Sequence, residues 1–139
     1  MTPRSLAVVC CFLAAGAAGC SRLRRVSECR ELAQTVNRHM DEIEAASKGK
    51  ETPETFAKVS KGYSKLADEV SALPVAKGVA SAQVAEYVTL LRSAAKSSRE
   101  TSEALGAGAR TQPHRRELDK LSRKDEVVTQ KLETYCRAP

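Results

Sequence analysis

Five cysteines and two histidines carry most of the reactive chemistry open to this 139-residue chain. The cysteines are Cys10, Cys11, Cys20, Cys29 and Cys136. A thiol can take an acyl or alkyl group, pair into a disulfide or, as thiolate, attack an electrophile or bind a metal. No two cysteines stand in Cys-x-x-Cys spacing, which argues against a thiol oxidoreductase and against covalent haem attachment. His39 has Asp41 and Glu42 beside it, but the Glu-x-x-His spacing of di-metal helical bundles is absent, so His39 is expected at the surface and no metal is expected. His114 is isolated. Gly106-Ala107-Gly108 lacks the Lys-Ser/Thr that a phosphate-cradling loop needs. No Ser, His and Asp are spaced to position a nucleophile. The chain therefore reads as a non-enzyme with no catalytic residue, no cofactor and no small-molecule substrate.

Cys20 stands apart because of what precedes it. Met1 to Arg4 is short and carries one positive charge, and Leu6 to Gly19 is uniformly apolar or small. That order is the order of a secretory signal. The apolar run is too short to span a bilayer, which needs roughly 20 residues. It has no polar face, which a buried amphipathic helix would require. The run ends in Ala17-Ala18-Gly19-Cys20, which resembles the lipobox of bacterial lipoprotein precursors, with Ala17 standing where that pattern prefers Leu. The resemblance implies cleavage between Gly19 and Cys20, a diacylglycerol on the Cys20 thiol and an exported, lipid-anchored product. Small residues before the cut suit a narrow protease subsite, and only a thiol is nucleophilic enough to take the lipid. Ser21, a non-acidic residue after the lipidated Cys, implies sorting to the periplasmic side of the outer membrane rather than retention at the inner one. Cleavage after Ala17, reading Ala15-Gly16-Ala17, is the alternative and would release a soluble protein.

If Cys10 and Cys11 leave with the signal and Cys20 carries lipid, Cys29 and Cys136 remain. Export delivers them to an oxidising compartment, where an even pair reads as a disulfide. Two free buried thiols are the alternative.

After Cys20 the pattern is helical almost throughout. The first stretch, about 22–47, has apolar positions Cys29, Leu32, Val36, Met40 and Ile43 in steps of three and four, and Lys48-Gly49-Lys50 breaks it. The second, about 53–73, opens with Thr52 as a cap, Pro53 in the first helical position and Glu54 at the positive end of the dipole. Its seam is Phe56, Val59, Tyr63, Leu66, Val70 and Leu73, a heptad rhythm, with Gly62 inside it and Pro74 ending it. In the connector that follows, Val75 and Val79 are candidates to pack. The third, about 81–105, has Val84, Tyr87 or Val88, Leu91, Ala94 or Ala95, Ser98, Ser102 and Leu105, shifting from large to small residues. The fourth, about 113–136, has Leu118, Leu121, Asp125, Val128, Leu132 and Tyr135. Asp125 falls on a core position, and the expected resolution is a local rotation that uses Val127 instead. The alternative is a buried partner for Asp125.

These stretches predict an all-α fold: an antiparallel up-down four-helix bundle, residues 20–139, behind a signal of residues 1–19. In that order the start of the first helix lies beside the end of the fourth, where Cys29 and Cys136 fall, so a disulfide would close the bundle. With no Trp and few aromatics, small apolar residues suit close helix packing better than a ligand-sized cavity.

The net charge is +6, with signs interspersed. Arg22, Arg24, Arg25 and Arg30 cluster near Cys20, without the long flexible tether common among lipoproteins. Beside an acyl anchor, basic residues add roughly 1 kcal/mol each against anionic lipid. The alternative is pairing with Glu28 and Glu31. Nucleic-acid binding fits poorly with export and with so few rings for base stacking. Two functions follow. One is an anchored interaction module that binds an envelope protein, with the small residues Ser98 and Ser102 admitting a partner helix. The other is a structural envelope protein that self-associates or adheres to the cell wall.

Overall fold

Apolar residues in steps of three and four build four helices in the computed structural model of the chain, and no strand occurs among the described residues. The structure describes the backbone of residues 4–138 and the side chains of residues 19–138. The signal-segment reading thus lies, apart from Gly19, outside the described side chains. The helices are α1 (Arg4–Ser47), α2 (Pro53–Ala72), α3 (Ser81–Gly106) and α4 (Gln112–Arg137), with a single 3-10 turn, Pro74–Lys77, between α2 and α3. No described helix is long and apolar enough to cross a membrane.

Local chemistry sets the ends. Thr52 Oγ1 accepts the Thr55 N–H at 3.2 Å, Pro53 needs no partner for a missing N–H, and Glu54 lies in the first turn. The Glu54 carboxyl is held below its ordinary range by its own backbone N–H and by Thr52. Gly108, at φ 64°, supplies the left-handed residue that turns the chain after α3. Of the connector residues, Val75 is buried, but Val79 is 88% exposed.

Leu66, Val70, Val75, Val84, Leu91, Val128 and Leu132 lie in one core shared by all four helices with Leu32 and Ile43 of α1. Polar pairs fix each contact. Arg38 Nη2 meets Glu69 at 2.6 Å between α1 and α2. Ser60 Oγ donates to the Ala95 carbonyl and Ser102 Oγ to the Pro53 carbonyl, both at 2.7 Å, between α2 and α3. Lys131 Nζ lies 2.9 Å from Glu86 between α3 and α4. Arg115 of α4 pairs with Glu51, just before α2. Cys29 and Cys136 form a disulfide with their Cα atoms 5.9 Å apart, and Arg25 beside it donates to the Ala138 carbonyl at 2.9 Å. Away from that bond, α1 and α4 form the sparsest of the helix pairings.

Two side chains sit where the sequence reading did not put them. His39 is 0% exposed, not a surface residue. The face of α1 turned inward is Glu28, Leu32, Thr35, His39 and Ile43, while Met40 is exposed and Val36 half-buried. Thr35 and His39 thus fill places expected of Val36 and Met40. His39 Nε2 lies 2.9 Å from Glu69, and Nδ1 is 3.6 Å from Glu42. Glu69 is the nearer of the two carboxylates to the buried ring. The second correction is α4, which does not rotate at Asp125. Val127 stays 53% exposed, while Val128 is buried and Asp125 half-buried on the inner side.

Candidate functional site

The sparse pairing of α1 with α4 leaves an open groove between them, floored by α2 and α3. Its larger part has a volume of about 570 Å³ and is lined by Val36 and Met40 of α1, Phe56, Val59 and Tyr63 of α2, Tyr87, Leu91 and Ser98 of α3, and Leu118, Leu121 and Asp125 of α4, among others. A second part of about 290 Å³ shares Val36, Tyr87 and Thr129 with the first and runs on to Cys29 and Cys136. Together they replace the close packing expected of small residues. The disulfide holds α1 and α4 together at one end, and beyond it the rings of Phe56, Tyr63 and Tyr87 line the space between them.

The groove is lined mostly by apolar side chains, with Ser47, Glu51, Thr55, Ser98, Ser122, Asp125 and Thr129 as its polar groups. Burial raises the Asp125 carboxyl above its ordinary range, and the neighbouring Glu126 adds to the effect. Burial also raises the Tyr63 and Tyr87 phenols, and each feels the negative charge of Asp125. The three groups therefore form one electrostatic cluster in the groove wall. No Lys or Arg pairs with Asp125 among the described residues. Ser98 Oγ is buried with no hydrogen-bond partner, and its neighbour Ser102 is already committed to α2. Ser97, Ser98 and Thr101 are all buried, so the small residues of α3 serve first as packing surface inside the chain.

The region around the disulfide carries the residues that the sequence singled out. Cys20 is exposed and unpaired, and Gly19 before it is open to solvent. Arg22 is exposed. Arg24 Nε pairs with Glu28 at 2.8 Å, which raises the guanidinium further. Arg25 lies over the Tyr135 ring, 5.6 Å from its centroid, while also donating to the Ala138 carbonyl. Ser21, Arg24, Arg25, Glu28, Gly78, Val79 and Tyr135 surround a shallow hollow of about 490 Å³. The connector bearing Val79 is thereby brought beside residues 21–28 of α1. Leu23, 72% exposed, and Val26 complete an apolar fringe in this region. Sequence reasoning found the arginines but missed Val79 as an exposed tip. Its position after Lys77-Gly78, at the apex of a connector, was the available signal.

No group of three or more His, Cys, Asp and Glu among the described residues is placed to hold a metal ion. No protein-family model, curated protein or solved structure matches the chain.

Proposed function

We propose that the chain is the precursor of a bacterial lipoprotein, anchored through Cys20 to the periplasmic side of the outer membrane, and that its mature part is a non-catalytic interaction module for an envelope protein. One observation carries this reading. With Cys29 and Cys136 consumed in a disulfide, Cys20 is the free, exposed thiol of the described chain, and it lies a short helical reach from an apolar and basic fringe. At ~1.5 Å per residue, Cys20 lies only about 13 Å along α1 from Cys29. Acylation there would hold Leu23, Val79, Arg22 and Lys77 against the lipid surface. The helices in this reading alternate up, down, up and down. Supporting that order, Pro53 meets Ser102 while Ser60 meets Ala95, and His114 lies near Glu100 while Lys131 lies near Glu86.

Metabolic labelling with a clickable fatty acid, followed by intact-mass analysis and cross-linking in cells, tests the proposal. The expected result is an acylated N-terminus at Cys20, loss of membrane association in Cys20→Ala, and one protein partner captured only by the anchored form. A native product beginning at Cys20 without acyl mass overturns the anchor. Capture of self-links or cell-wall fragments alone overturns the module and favours a structural envelope role.

A further inference from the structure

The groove between α1 and α4 holds a carboxylate that the fold itself leaves without a counter-charge. Buried or half-buried carboxylates ordinarily sit beside a cation or several donors, because desolvating an unpaired charge is costly. Asp125 has neither a Lys nor an Arg partner nor a hydrogen bond among the described residues, although the chain carries 23 Lys and Arg. Around it are two phenol rings, whose faces attract cations, and an apolar trough formed by Met40, Phe56 and Leu121. Farther along the same trough, Ser98 Oγ is buried and unpartnered. From Tyr87 to Ser98 along α3 is about 16 Å at ~1.5 Å per residue. The volume of about 570 Å³ falls within the range of small-ligand sites.

We infer that this groove is a binding site for a cationic amphiphile. Its protonated amine sits against Asp125 between Tyr63 and Tyr87, its apolar body lies along Met40 and Leu121, and a polar group at the far end reaches Ser98. Each part of such a ligand answers a specific deficit of the groove: the amine supplies the missing charge, the body covers apolar wall and the distal group satisfies an orphaned hydroxyl. A neutral lipid chain would cover the wall but leave Asp125 unpaired. The inference does not depend on acylation of Cys20.

The test uses the full chain in solution, with a diazirine-bearing dodecylammonium probe and the matching dodecanol probe as neutral control. The ammonium probe is expected to label peptides containing Met40 and Leu121 saturably, and unlabelled dodecylammonium should displace it. Asp125→Asn, which keeps size and polarity, should weaken that labelling about tenfold or more, the loss of one charge-assisted contact. Labelling by the neutral probe should be the same in both proteins. A hydroxyl at the far end of the amine should tighten binding to the native chain and not to Ser98→Ala. Equal labelling by amine and alcohol, or an unchanged Asp125→Asn, overturns the inference. So does a dimer in sedimentation that buries the groove and excludes the probe, which would make a second copy of the chain the occupant.

Discussion

Gly62 of α2 lies directly against Ile43 of α1: a methyl group built on Gly62 would come within 2.6 Å of Ile43 Cγ1. Ile43 is itself in the core and has little room to retreat. A glycine inside a helix costs about 1 kcal/mol relative to alanine, yet here the absent side chain is what lets α1 and α2 close. Gly62→Ala should therefore destabilise the protein by about 1–3 kcal/mol, the usual cost of overpacking, despite its better helix propensity. Denaturant unfolding measures this. A gain in stability would mean that the two helices are not held at this distance.

The disulfide closes a loop over a sequence separation of 107. Cross-linking a chain over about 100 residues is worth up to ~4.7 kcal/mol in the chain-entropy model, and removing a native bond from a small secreted domain typically costs about 2–5 kcal/mol. Reduction, or Cys136→Ser, should lower stability within that range. Because α1 and α4 touch little elsewhere, amide exchange should rise first in residues 20–36 and in the last two turns of α4. A uniform rise across α2 and α3 would contradict this.

Glu69 receives both His39 and Arg38, and contact with His39 is the largest influence holding its carboxyl below the ordinary 4.5. A lowered folded-state pKa means that the unfolded chain binds more protons in that window. The stabilisation from Glu69 is then complete above about pH 4.5 and is lost as pH falls through the folded value. Thermal melts from neutral to acid pH should show a shallower acid limb for Glu69→Gln than for the native chain. Parallel limbs would exclude Glu69 as a source of acid sensitivity.

Asp125 has the opposite sign. Its folded pKa is raised above the ordinary 3.8, so the native state binds more protons and stability falls as pH rises through that interval. Asp125→Asn should stabilise the protein at neutral pH, by less than about 1 kcal/mol once solvent screening of a half-exposed group is allowed for. The gain should vanish below about pH 3.8. A destabilised variant at pH 7 would show that the carboxylate has a cation partner in solution.

Val79 gives a prediction with two readouts. It is almost fully exposed, so Val79→Asp should leave unfolding within about 0.5 kcal/mol of native. If its apex meets lipid, the same change should reduce association of the acylated protein with anionic vesicles. Unaltered vesicle association would place this connector away from the membrane.

Much of the scaffold was legible because its signals are local. Thr52-Pro53, Pro74 and Gly106-Ala107-Gly108 punctuate the chain, and Leu66, Val70, Val128 and Leu132 mark inward faces by spacing alone. Parity of the cysteines pointed to Cys29 and Cys136. What stayed hidden depends on distances between helices. Phe56 and Tyr63 continue the seam of α2 but end half-buried, because they face the groove rather than a fourth helix. His39 looked like a surface group because its partner Glu69 is thirty positions away on another helix. Asp125 looked misplaced on a core stripe for the same reason: a stripe records which side faces inward, not whether anything stands opposite.

The bond between Cys29 and Cys136 also decides how the molecule carries load. A pull applied at Cys20 travels along α1 to Cys29 and then divides at the cross-link between α1 and α4. Neither helix can be peeled away alone, since unzipping one drags the end of the other with it. Toward Ser47, where no such bond exists, α1 and α4 are free to part. The protein is thus stiff near Cys20 and yielding at its far end, the mechanics of a clothes-peg with its spring at the disulfide.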